Sequence, residues 1–294
     1  MEKKFVALKN QETYAYLEKG SGDKYLILVH GNISSSVYYK PLIDLLPENL
    51  HCFAVDLRGF GDSSYNQEIS SLKELADDVK LFMDAMKIEK ADIAGWSLGG
   101  GVVMEFAAHY PDRLNKLILI NSTTHKGYPV FKKDANNQMK LGEVYASKKE
   151  MAEDPVQVKP LLMALETKNL AFVKYIYDLT IYTYNKPSEE DNLLYLTDSL
   201  KQRNLVDADW ALANLNMGKD FNFYQMGQNT ISLIKAPVLH IWGSHDKTVP
   251  EFMILDNIKA LEDQSTYVKF DQCGHSPLVD KPNELAKVIL DFIR

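Results

Sequence analysis

The chain has 294 residues, enough for one elaborated domain or for a core carrying an insertion. Its 46% hydrophobic and 25% charged residues are those of a soluble globular protein, and a net charge of −7 argues against nucleic acid or an anionic membrane as partner. Cys52 and Cys273 make no disulfide framework, no Cys/His cluster has zinc spacing, and no apolar run is long enough for a bilayer; with no apolar segment behind the charges of residues 1–5, a cytoplasmic protein without membrane insertion is expected.

In chain order, strand-like and helix-like patterns alternate. Residues 5–8 and 13–18 read as a strand pair turning at Asn10-Gln11. Residues 24–29 are a continuous apolar run, expected of a strand buried on both faces. It ends in His30-Gly31-Asn32-Ile33, three serines and a helical pattern to Leu46. Residues 52–55 form the next strand, ending in Asp56-Leu57-Arg58-Gly59-Phe60-Gly61-Asp62. Leu72, Leu75, Ala76, Val79, Phe82, Met83 and Met86 fall at helical spacing, giving one apolar face.

A short strand at 91–94 then meets Gly95-Trp96-Ser97-Leu98-Gly99 and a helical pattern beyond. Gly-x-Ser-x-Gly between a strand and a helix is the context of a nucleophile elbow. A serine on so tight a turn has a strained backbone, and side chains two residues away on either side would clash. Residues 117–120 are another buried strand, so the repeated strand–helix–strand order predicts a mostly parallel sheet.

From 124 to 228 no good buried strand appears, and patches of helical periodicity (Leu161, Leu162, Leu165; Leu193, Leu194, Leu200) predict a helical cap inserted between core segments 1–123 and 229–294. Half of the sixteen tyrosines lie there, expected mainly in helix packing. The alternation resumes with a strand at 236–242, then Gly243-Ser244-His245-Asp246, a helix, a strand at 266–270, Gly274-His275, and a helix at 282–293.

The order His30-Gly31, Asp56-x-Arg58-Gly59-x-Gly61, Gly95-x-Ser97-x-Gly99, Gly243-x-x-Asp246 and Gly274-His275 resembles the α/β-hydrolase family across nearly the whole chain. Each motif follows a predicted strand, where open α/β sheets carry their sites. The resemblance implies a Ser97, Asp246, His275 triad in the chain order of that family. Asn121 and Ser122, where some relatives carry the acid, supply no carboxylate. An oxyanion needs donors: the N–H of Leu98 is one, and Asn32 the expected second, with Ile33 as the alternative. The Asn32 side chain is a further donor by analogy with dehalogenases, but dehalogenases and epoxide hydrolases of this fold use an aspartate nucleophile, which Ser97 excludes.

Ile33, Trp96 and His125 are the candidate pocket residues. His30 reads as a structural ring holding the oxyanion loop. Asp56, Arg58 and Asp62 read as one buried polar network, His240 as a core residue, His109 as a helix C-terminal residue, and His51 and His245 as surface residues. The expected activity is hydrolysis of a carboxylic ester of small to medium apolar character through an acyl-enzyme, with no metal or cofactor, by a monomer or homodimer. A lactone, thioester or C–C substrate, or a perhydrolase reaction, would use the same triad. A receptor retaining the fold is the reading from another class.

Overall fold

Along β3 (Lys24–Val29) the side chains of Leu26 and Leu28 enter one hydrophobic cluster and those of Ile27 and Val29 the other, as the two-residue period of a strand requires. All four are fully buried, so β3 is covered on both faces. The same division runs through β4 (Leu50–Val55), where Cys52 and Ala54 face one way and Phe53 and Val55 the other. These strands belong to a computed structural model that describes residues 1–294.

The sheet has eight strands. β1 (Lys4–Ala7), β2 (Thr13–Lys19), β5 (Ala91–Trp96), β6 (Leu114–Ile120), β9 (Val238–Gly243) and β10 (Ser265–Phe270) complete it, in the order β1-β2-β4-β3-β5-β6-β9-β10. β1 and β2 are antiparallel to their neighbours; every pairing from β4 to β10 is parallel. The sequence order reverses across β3, which has β4 on one side and β5 on the other. Such a reversal opens a crevice at the strand C-termini.

One face is covered by α2 (Leu72–Ala85) and α3 (Leu98–His109), the other by α1 (Lys40–Leu45) and α11 (Pro282–Ile293). The α2 start is capped: Ser71 Oγ accepts from Glu74 N–H at 3.4 Å. Its buried face holds Leu72, Leu75, Ala76, Val79, Phe82 and Met83, as the spacing predicts. The helix expected before Leu46 begins as a 3₁₀ turn, Ser36–Tyr39, ahead of α1. Two short elements, α9 (Glu251–Ala260) and α10 (Pro277–Asp280), complete the C-terminal segment.

Between β6 and β9 the chain forms α4 (Lys148–Met151), α5 (Lys159–Glu166), α6 (Leu170–Thr180), α7 (Glu189–Ser199) and α8 (Leu205–Asn214). It also forms a hairpin absent from the helical reading, β7 (Phe131–Lys133) with β8 (Met139–Val144). β8 is exposed at five of its six positions, so it has no buried alternation to reveal it. The hairpin rests on turn chemistry: Asp134 Oδ1 accepts from the N–H groups of Asn136 (2.8 Å) and Gln138 (2.9 Å), with Asn137 at φ +62°.

Leu161, Leu165, Val173, Tyr177 and Leu196 join the cluster beneath α1 and α11, while Ala208 and Ala211 of α8 join the one beneath α2 and α3. Tyr38 anchors the first set, stacking on Tyr195 at 4.8 Å between ring centroids. No helix is long and apolar enough to cross a membrane.

Candidate active site

Ser97 joins β5 to α3 at φ +56°, ψ −120°, a backbone region that L-residues rarely adopt. The flanking glycines make this turn sterically feasible. A Cβ on Gly95 would lie 2.3 Å from Gly99 O, and one on Gly99 would lie 2.3 Å from Val29 O. The turn is tied to the sheet by Ser97 N–H to Ile120 O at 3.0 Å. Ser97 is the N-cap of α3, and its carbonyl accepts from Gly100 N–H at 2.9 Å.

The neighbouring strands deliver the other groups. Asp246 follows β9 and His275 follows β10, and His275 Nδ1 lies 2.8 Å from Asp246 Oδ2. Both side chains are buried. Asp246 is held from three further directions: Asn121 Nδ2 donates to Oδ2 at 2.6 Å, and the N–H groups of Thr248 (2.8 Å) and Val249 (2.9 Å) donate to Oδ1. Asn121 Nδ2 also reaches Gly274 O at 3.1 Å, bracing the His275 loop. With hydrogen on Nδ1 the ring donates to this carboxylate, and Nε2 is then the ring's acceptor. Trp96 Nε1 donates to His275 O at 2.8 Å, so the residue beside the serine also positions the histidine.

Gly31 brings the β3 loop against the serine; a Cβ there would stand 2.9 Å from Ser97 Cβ. His30 is fully buried and accepts at Nε2 from Leu57 N–H (3.0 Å), with Nδ1 2.7 Å from Gly31 O. Burial pushes its pKa down to about 4, which suits a neutral ring pinning the loop. Ile33 N–H donates to Gln202 Oε1 and Asn32 Oδ1, both at 3.0 Å. Gln202 Nε2 donates to Asn32 Oδ1 at 2.9 Å, and Asn32 Nδ2 donates to Asp209 Oδ1 at 2.7 Å. The Asn32 side chain and the Ile33 N–H are therefore engaged, and three partners from the β6–β9 segment hold this loop: Gln202, Asp209 and Tyr177, whose hydroxyl donates to Ile33 O. No motif marks them in the sequence.

Ser97, Leu98, Asn32 and His275 line one cavity of about 420 Å³. Its other wall is mostly apolar and comes from the β6–β9 segment, including Leu161, Phe172, Ile176, Leu179 and Leu212. Of the pocket candidates, Ile33 and Trp96 line it and His125 does not. The His125 ring is buried against Asn257 of α9, with Nδ1 3.0 Å from Asn257 Oδ1. Of the tyrosines in the inserted segment, Tyr128 and Tyr177 reach the cavity. A second cleft of about 440 Å³, polar and lined by Ser70, Lys73, His109 and Asn214, holds none of the motif residues.

The network expected of Asp56, Arg58 and Asp62 is two networks. Lys3 Nζ sits among Asp56 (2.7 Å), Asp62 (2.9 Å) and Asp198 (2.6 Å), filling the space where those carboxylates are close enough to hold a cation. Arg58 turns away to Asp78, with Nε to Oδ2 at 2.7 Å and Nη2 to Oδ1 at 2.6 Å. The fork shape of the guanidinium selects the partner that accepts on both oxygens, and that partner lies on α2. His240 is a core residue, its pKa pushed down to about 4 by burial, and both cysteines are free and buried. His51 is half-buried, 2.8 Å from Glu18 Oε1.

The sequence profile of the α/β hydrolase fold matches residues 24–282. Pimeloyl-[acyl-carrier protein] methyl ester esterase of Vibrio atlanticus is 26% identical, covering 91% of this chain and 93% of its own. Cis-3-alkyl-4-alkyloxetan-2-one decarboxylase of Shewanella oneidensis is 30% identical, covering 99% and 88% respectively. The solved structure of a thermophilic esterase from Thermogutta terrifontis has the same fold, with a TM-score of 0.75 at 19% identity over 100% of this chain and 98% of that one.

Proposed function

The chain belongs to the α/β-hydrolase fold family, and from that premise we propose that it is a serine hydrolase cleaving a carboxylic ester of small to medium apolar character. The observation that carries this reading is one cavity lined by a strained serine and by a histidine whose Nδ1 is 2.8 Å from a buried aspartate. A serine hydroxyl needs a base at the moment of attack, and a histidine needs its tautomer fixed to be that base.

Ser97 Oγ attacks the ester carbonyl carbon while His275 Nε2 takes its proton. Asp246 keeps hydrogen on Nδ1 and stabilises the imidazolium that forms. The N–H groups of Leu98 and Asn32 receive the developing oxyanion, a role for which Ile33 N–H is not free. The imidazolium returns its proton to the departing alcohol. Water, activated by the same His275, then releases the acid from Ser97. Residues 124–228 act as a cap that closes the apolar wall and sets which acyl group fits.

A cyclic ester is the second reading: the 30% identical relative is named a decarboxylase of an oxetan-2-one, a four-membered ring ester, so its named substrate, though not its named reaction, is of this class. The test is steady-state hydrolysis of p-nitrophenyl butyrate and a panel of lactones, for wild type and Ser97→Ala. We expect multiple turnovers by the wild type and a loss of roughly 10⁴-fold or more in kcat/KM on substitution. Turnover unchanged in Ser97→Ala contradicts the reading, as does a folded wild type inert to every ester and lactone.

A further inference from the structure

Asp209, on α8, is the one carboxylic residue lining the cavity that holds Ser97 and His275. Its Oδ1 accepts from Asn32 Nδ2 at 2.7 Å, and Oδ2 takes no bond from the protein. Neighbouring Asp154 is different. It accepts from Lys133 Nζ (2.7 Å), Tyr145 Oη (2.8 Å) and the N–H groups of Val156 (2.9 Å) and Gln157 (2.5 Å). Asp207, on the same helix as Asp209, turns outward to Lys148 and Tyr65. The acid in the cavity wall is thus the one left with an open acceptor.

Holding Asn32 does not require a carboxyl, since an amide oxygen in the same place would accept the same bond. Asp209 is half-buried, and its Oδ2 opens onto the cavity, where it can accept from water or from a donor on the ligand. Burial, followed by the nearby charge of Asp154, pushes Asp209 up from its ordinary 3.8 to about 7, against the opposing effect of the Asn32 bond. The other ionisable groups lining the cavity are His275, Lys247, Tyr128 and Tyr177. A group present in both protonation states near neutrality is best matched by a hydroxyl, which donates to the carboxylate and accepts from the acid. A carbonyl suits only the acid form and an ammonium only the ionised form.

We propose that Asp209 Oδ2 binds a hydroxyl of the substrate carried close to the scissile carbonyl, so that the site selects hydroxylated esters over their plain counterparts. Asp209 and Ser97 line the same cavity, and Asp209 is bonded to Asn32, the residue after Gly31, where an added Cβ would stand 2.9 Å from Ser97 Cβ. This inference rests on the ester-hydrolase reading above and names its substrate class.

The experiment compares p-nitrophenyl 3-hydroxybutyrate with p-nitrophenyl butyrate, and 2-hydroxyethyl butyrate with ethyl butyrate. Each pair is run with wild type, Asp209→Leu and Asp209→Asn. Wild type is expected to favour the hydroxylated member of at least one pair by roughly 10- to 100-fold in kcat/KM, the worth of a hydrogen bond to a charged group. Asp209→Leu brings that ratio to about one, and Asp209→Asn, which keeps an acceptor for Asn32, leaves a smaller preference. A wild-type ratio near one in both pairs overturns the proposal. An equal loss for both members in Asp209→Leu, with the ratio intact, also overturns it and leaves Asp209 as a positioning residue for the loop.

Binding separates this from failure of the hydrolase reading. In a Ser97→Ala background, calorimetric Kd values for methyl 3-hydroxybutyrate and methyl butyrate are compared with and without Asp209→Leu. A preference dependent on Asp209 supports the inference even if no ester is turned over, and equal Kd values overturn it.

Discussion

Two aspartates flank the cavity, one supplied by the strand ends and one by the inserted segment, and they are built to opposite specifications. Asp246 accepts from His275, Asn121 and two backbone N–H groups, so its charge is fully engaged. Asp209 accepts from Asn32 alone. An acid that orients another side chain has to be satisfied before substrate arrives, whereas one that meets substrate keeps an oxygen open. The strand ends thus carry the fully bonded acid, and the inserted segment the one with an open oxygen.

Asp246→Asn breaks the engaged side of that contrast and has the largest expected effect. The amide no longer holds hydrogen on Nδ1, and kcat falls by roughly 10³–10⁴-fold with the fold intact by circular dichroism. A loss below tenfold would mean another acid orients His275.

Gln202→Ala asks whether the inserted segment reaches into the chemistry. Gln202 fixes Ile33 N–H and Asn32 Oδ1, so its removal loosens the oxyanion loop. We expect kcat to fall by roughly 10-fold with KM little changed, less than the loss of an oxyanion donor itself. A pure KM effect would assign Gln202 to substrate binding instead.

Beyond its effect on substrate preference, Asp209→Asn also acts on stability, and this effect is the smallest. The folded chain holds the Asp209 proton up to about pH 7, above the ordinary 3.8 of the unfolded chain. Stability from this group is therefore greatest below that unfolded value and declines as pH rises toward 7. Between pH 5 and pH 8 the Tm of Asp209→Asn should gain on wild type by roughly 2 °C. An equal difference at both pH values would show that the carboxyl titrates normally.

The legible parts of the molecule are those where backbone geometry dictates residue type. Gly95 and Gly99 are required by a turn whose carbonyl neighbours stand 2.3 Å from any added Cβ, so the motif reads directly as geometry. The runs at β3, β5 and β9 read as strands because burial on both faces leaves them almost wholly apolar, Asp92 and His240 being the buried exceptions. Side-chain partnerships across long separations leave no such mark. Asn121 reads in the sequence only as a residue unable to supply a carboxylate, yet it donates to the Asp246 carboxylate 125 residues away. Gln202 and Asp209 lie in ordinary helical or turn sequence 170 and 177 residues from Asn32. Arg58 and Asp56 share one motif and face different partners, because fork geometry rather than proximity decides the pairing. The hairpin of β7 and β8 is invisible because an exposed ribbon has no buried period.

The most direct test of the account is covalent capture of the nucleophile. Wild type and Ser97→Ala are each treated with diisopropyl fluorophosphate, and the intact masses and peptide digests are compared. We predict one adduct per wild-type chain, located on Ser97, and none on the substituted protein. A folded wild type that takes no label, or takes it on another residue, contradicts Ser97 as the activated nucleophile of this site.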